Sequence, residues 1–128
     1  MTRFLRLSIA WALLIAFLCL TPGNALPQWK WADLLSVDKL VHVLMFGALS
    51  YLLARGFRER ASNTWSDAKV LLIAGLLSFA YGGLMELLQD IPSLGRNGDV
   101  VDLTANTIGA VAGAFLVSRY WARRRAAA

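Results

Sequence analysis

Apolar residues fall into four long runs separated by short polar segments. The first extends from Phe4 to Leu20, is broken only by Arg6, and stops at Thr21-Pro22-Gly23. The second runs from Leu40 to Ala54 and holds His42. The third covers Val70 to Leu88, with Glu86 near its end, and the fourth covers Val100 to Tyr120, with Asp102 and Asn106 near its start. None alternates with the period of two that a half-buried strand requires. A helix needs ~20 apolar residues, at ~1.5 Å per residue, to cross a hydrocarbon layer of ~30 Å. The second run is short for that, so it is expected to extend from Val37 to about Phe57, with Lys39 and Arg55 reaching toward the interfaces. The pattern predicts an all-α integral membrane bundle of four transmembrane helices, near residues 4–20, 37–57, 70–88 and 100–120. The loops are short, and residues 1–128 form one membrane domain.

Composition agrees with a bilayer as solvent. Of 128 residues, 58% are hydrophobic and 16% charged, and the mean hydropathy is +0.55. A soluble domain carries about 25% charged residues to cover its surface. No segment between the runs is long enough to form a soluble catalytic domain of its own. The single cysteine excludes an internal disulfide framework and a four-thiolate zinc site. Cys19 reads as a small apolar residue within a span. The first run could also be a signal peptide cleaved near Gly23-Asn24-Ala25, but it is long for that, and a retained span is preferred.

The net charge of +5 lies between the runs, so its distribution carries more information than its sum. In a four-span topology the N-terminus, the second loop and the C-terminus share one side. They carry Arg3, Arg6, Arg55, Arg58, Arg60, Lys69, Arg119, Arg123, Arg124 and Arg125, whereas the other side carries Lys30, Lys39 and Arg96. Short loops rich in Lys and Arg stay cytoplasmic. Both termini are therefore expected in the cytoplasm of a multi-pass plasma-membrane protein. The Arg123-Arg124-Arg125 cluster then anchors the topology against anionic headgroups, and no nucleic-acid partner is expected. Trp29, Trp31, Trp65 and Trp121 fall at expected interfaces, as aromatic belts do.

The same topology gathers polar residues at one depth. Asp38, Lys39 and His42 open the second span. Glu86, Gln89 and Asp90 close the third, and Arg96, Asp99, Asp102 and Asn106 lead into the fourth. All lie toward the extracytoplasmic surface. Asp38, His42, Phe46, Leu49 and Leu53 share one helical face, as do Asp99, Asp102, Asn106, Gly109 and Gly113. Gly109-x-x-x-Gly113 permits close helix packing and would point Asp102 and Asn106 inward. An ionisable group facing lipid costs ~2.5–3.5 kcal/mol even on insertion scales, so His42, Glu86 and Asp102 should face one another or a wet pocket. Asp38, Glu86, Asp90, Asp99 and Asp102 outnumber Lys39 and Arg96. Raised carboxylate pKa values, a protonated His42 or a bound cation would compensate. No cofactor is expected, although a divalent cation would suit the surplus. Individually, several residues have plainer readings: Asp38 and Asp99 as helix-start acids, Gln89 and Asp90 as solvated helix ends, Lys39 as a snorkelling side chain.

Asp38-Lys39-x-x-His42-x-x-x-Phe46-x-x-Leu49, Glu86-x-x-Gln89 and Arg96-x-x-Asp99-x-x-Asp102-x-x-x-Asn106-x-x-Gly109-x-x-x-Gly113 together resemble the VanZ-like family over roughly residues 37 to 117. Val43 follows His42 where an aromatic is common in the family, a departure that touches packing. The resemblance implies a four-helix plasma-membrane protein of the cell envelope. The family takes its name from a member associated with resistance to the glycopeptide teicoplanin, so antibiotic resistance enters as a phenotype and brings no mechanism with it.

Three functions compete. In the first, Asp38, Lys39, His42, Glu86, Gln89, Arg96, Asp99, Asp102 and Asn106 line an outer pocket for a lipid headgroup, an amphiphile or a cell-wall precursor, with Lys39 and Arg96 contacting phosphate or carboxylate. In the second, the chain is a membrane-embedded enzyme acting on a lipid-linked substrate, with Glu86 or His42 as base and Asp102 as acid or metal ligand. Lacking a nucleophile motif, the enzyme reading ranks below the binding one. In the third, the cluster only specifies the bundle. A transporter ranks last, because it would place polar groups near the midplane. The oligomeric state is not legible.

Overall fold

The computed structural model describes residues 1–22, 37–61, 64–94 and 98–127. Among these the chain forms four long helices: α1 (Arg3–Leu20), α2 (Val37–Ala61), α3 (Asp67–Gln89) and α4 (Val100–Ala126). A 3-10 turn at Pro92–Leu94 follows α3. All four helices are long and apolar enough to cross a membrane. Arg96, Lys30, Trp29, Trp31 and the Gly23-Asn24-Ala25 segment lie outside the described residues.

Each start has a local cause. The Thr2 hydroxyl caps α1 by accepting from the Leu5 N–H at 3.3 Å, and the Ser66 hydroxyl caps α3 by accepting from Lys69 at 3.2 Å. Asp99 caps α4 by accepting from Val101 at 2.8 Å. These groups satisfy backbone donors that have no partner within the helix. Three helices outrun their apolar runs. α2 continues to Ala61, α3 begins at Asp67, and α4 reaches Ala126. Hydropathy marks only the part in hydrocarbon, whereas Arg, Glu and Ala are good helix formers in water as well.

α2 and α4 form the closest pair. A methyl group added at Gly109 would strike the Val43 carbonyl, and one at Gly113 would strike the Gly47 carbonyl. A methyl at Gly47 would in turn lie 3.2 Å from the Gly109 oxygen. The three glycines let two backbones touch, the usual device for gaining packing energy where lipid gives no hydrophobic drive. α1 is the most peripheral helix. Among the described residues, Trp11 Nε1 donates to the Met45 carbonyl at 2.9 Å, Tyr81 Oη to Ala12 at 2.7 Å, Gln89 Nε2 to Cys19 at 3.0 Å, and the α1 cap Thr2 to the Gly56 carbonyl at 3.4 Å. Ile15, Cys19, Met45, Phe46, Leu49 and Met85 make one core cluster. Ala54, Val70, Ala74 and Val117 make another toward the arginine-rich end. The outward faces carry large apolar side chains such as Phe17, Leu44, Leu72, Leu87 and Phe115, a surface suited to acyl chains and costly in water.

Candidate functional site

The antiparallel order of the helices brings the start of α2, the finish of α3 and the start of α4 to one end of the bundle. At its centre lies Asn106, fully buried on α4. Asn106 Nδ2 donates to Glu86 Oε1 at 3.1 Å, and its Oδ1 lies 2.9 Å from His42 Nδ1. An ionised carboxylate only accepts, so the amide must donate to Glu86 and its oxygen must accept from His42. Nδ1 is thereby the donor of that pair. The backbone N–H of Asp99 donates to Glu86 Oε2 at 3.1 Å. Glu86 and His42 are 7% and 6% exposed, which makes these bonds obligatory: a buried charge without partners costs several kcal/mol.

Small residues create the space. A methyl at Gly82 would meet the Asn106 Cβ at 3.0 Å, and one at Gly98 would meet the Glu86 carbonyl at 2.5 Å. Gly98 also donates its N–H to Asp90 Oδ1 at 2.6 Å, which pulls the approach to α4 over the end of α3. The Phe46 ring stacks below His42 with centroids 6.4 Å apart.

Lys39 builds the neighbouring layer. Its Nζ lies 2.6 Å from Asp38, 3.0 Å from Asp102 Oδ1 and 3.9 Å from Asp99. Asp102 Oδ1 is buried and makes no directed hydrogen bond, so the ion pair is its sole partner among the described residues. One nitrogen of His42, one oxygen of Glu86 and one of Asp102 lie within 4.8 Å of one another.

The structure therefore gathers Asp38, Lys39, His42, Glu86, Asp99, Asp102 and Asn106 into one assembly. It does not bring Gln89 there, because that amide turns to α1 and donates to Cys19. Lys39 is not a free anion-binding group, because its ammonium is engaged by carboxylates on two helices. Arg96 lies outside the described residues. Sequence reasoning missed Gly47 as the counterpart of Gly109 and Gly113, and Gly98 as the residue that lets Asp99 approach Glu86. A Gly directly before an N-cap Asp was the available signal for the latter. It also missed that Asn106 links His42 to Glu86.

A groove of about 500 Å³ opens beside the cluster between α3 and α4. Ala80, Gly83, Leu84, Leu87, Val100 and Leu103 form its apolar walls, and Glu86, Asp90 and Asp99 close its polar end. A second apolar hollow of about 470 Å³, lined by Gly75, Leu76, Phe79, Thr107 and Ala110 among others, continues along the same seam.

A model of the VanZ/LLP1 family matches residues 3–122. The chain belongs to this family. The match covers α1 as well as the three helices that carry the polar cluster, so all four helices are part of the VanZ/LLP1 unit. No curated protein and no solved structure matches the chain.

Proposed function

We propose that this VanZ/LLP1 membrane protein binds an amphiphile at the extracytoplasmic face of the plasma membrane. The apolar tail lies in the groove between α3 and α4, and the head meets Glu86, Asp90 and Asp99. The observation that carries this reading is the groove itself, whose walls are apolar and whose end is acidic. The chemistry of that end selects an amine-bearing or otherwise proton-donating head. Phosphate is disfavoured because Lys39, the one cation among the described residues of the cluster, already serves three carboxylates. A phospholipid amine and a lipid-linked wall precursor bearing an amine share that chemistry. The surplus of arginines at the other end supports the orientation through the positive-inside bias.

Native mass spectrometry of the purified protein tests this, with phosphatidylethanolamine, phosphatidylglycerol of the same chains, and an amine-bearing polyprenyl lipid as probes. The amines are expected to be retained over phosphatidylglycerol, and Asp90→Asn with Asp99→Asn to erase the preference. Equal retention of all three overturns the reading. A membrane-embedded enzyme is the second reading, favoured by the proximity of His42, Glu86 and Asp102. Turnover of a retained lipid that is lost in His42→Gln would distinguish it. A link to glycopeptide resistance would appear as a teicoplanin susceptibility that rises when Asp99→Asn replaces the wild type in a host that depends on the protein.

A further inference from the structure

We infer that His42, Glu86 and Asp102 form a site for one divalent transition-metal ion, which exchanges with the Lys39 ammonium at Asp102. The site shares Glu86 with the amphiphile groove, whereas His42 and Asp102 do not line that groove.

Three observations carry it. The first is donor chemistry and distance. One imidazole nitrogen and two carboxylate oxygens from three different helices lie within 4.8 Å of one another. Ligands around one ion at ~2.1 Å sit roughly 3–3.5 Å apart, so a contraction of about 1.5 Å closes the set. Side-chain rotation of Asp102, which is only partly buried, supplies that movement.

The second is the support behind the ligands. A metal-binding histidine normally donates its other ring N–H to a fixed acceptor, which sets the tautomer and raises ligand basicity. His42 Nδ1 meets the Asn106 oxygen at 2.9 Å and stands 3.9 Å from Glu86 Oε1, so Asn106 orients the ring beside the Glu86 carboxylate. The amide of Asn106 and the Asp99 N–H hold Glu86 in the same way.

The third is the state of Asp102. Its Oδ1 is buried and accepts no directed hydrogen bond, yet a mobile ammonium stands 3.0 Å away. Lys39 thus holds a position suited to a cation, and its half-exposed stem can withdraw toward Asp38, to which it is bonded at 2.6 Å. The local surplus of carboxylates favours two positive charges over one at that point. One nitrogen with two oxygens suits Mn²⁺ or Zn²⁺ better than Ca²⁺ or Mg²⁺, which prefer all-oxygen sets.

Titration of Mn²⁺ into chelator-stripped, lipid-free protein in detergent, read by loss of the free-ion resonance signal, tests the site. One Mn²⁺ per chain, displaced by Zn²⁺, is the expected result. His42→Gln and Asp102→Asn should each weaken binding by more than about tenfold while retaining the wild-type helical spectrum. Lys39→Met should tighten it by about tenfold, a gain that a misfolded variant would not give. Absence of stoichiometric Mn²⁺ on the wild type, or equal affinity in His42→Gln and Asp102→Asn, overturns the site. Unchanged or weaker affinity in Lys39→Met overturns the exchange. Amphiphile retention measured in the presence of chelator reports on the groove with no ion at Glu86, so failure of one reading is distinguishable from failure of the other.

Discussion

Where α2 and α4 begin, carboxylates are sunk into the bundle and answered by an amide, an imidazole and one ammonium. Where those helices end, arginines lie at the surface and are answered by aromatic rings. Arg55 sits 4.3 Å from the Phe4 ring centroid and 4.6 Å from that of Tyr120, and it donates to the Tyr51 hydroxyl at 3.0 Å. Arg58 donates to the Trp65 carbonyl at 2.7 Å and pairs with Asp67 at 3.2 Å, and Arg125 joins the same carboxylate. A guanidinium over a ring tolerates displacement, because the ring face is broad and water remains nearby. A carboxylate buried with two specific donors does not. The acidic end is built for fixed geometry, and the basic end for retention at an interface.

The difference can be broken by substitution, with stability measured in one detergent throughout. Asn106→Leu keeps the volume and removes both orienting bonds, stranding Glu86 and His42. It should cost about 3–5 kcal/mol and have the largest effect. Gly109→Val comes next, at about 1–3 kcal/mol, because the new methyl groups must push α2 away from α4. Arg58→Met should cost about 1 kcal/mol, a cation–ring contact and a partly exposed ion pair being weak beside a fully buried network. Arg125→Ala, with a mostly exposed side chain, should cost less than about 0.5 kcal/mol and vanish in high salt. An Arg58→Met loss equal to that of Asn106→Leu would erase the distinction between the ends. Cysteine labelling sharpens the contrast without touching stability: Ser93→Cys should react with an impermeant reagent from outside, and Ala127→Cys only after permeabilisation.

The helices and the gathering of polar groups at one end of the bundle were legible because both depend on coarse quantities, apolar run length and the position of polar residues within each run. The partners within the cluster were not. Glu86 and Gln89 sit three residues apart on one helix face, yet Glu86 turns to α4 and Gln89 to α1. Only the rotation of α3 between its neighbours decides that, and periodicity within one helix is silent about it. Lys39 shows the same limit. Its charge was visible, but its engagement with Asp102 requires the register of α2 against α4, which Gly47 sets from the middle of the membrane. The overrun of α4 to Ala126 was hidden because hydropathy falls at Arg119 while helix propensity does not.

The backbone seam at Gly47, Gly109 and Gly113 has a mechanical consequence. Two rods in contact through their carbonyls cannot slide without collision, so His42 and Asn106 keep a constant height relative to each other. α3 forms the opposite bank of the groove and approaches α4 closely only toward the acidic end: a methyl at Gly82 would lie 3.0 Å from the Asn106 Cβ, whereas one at Gly83 would only just reach Leu103, at 4.0 Å, and one at Gly75 would meet nothing. Glu86, bonded to Asn106 and to the Asp99 N–H, ties that end of α3 to the stationary pair, so the acidic mouth of the groove keeps its width.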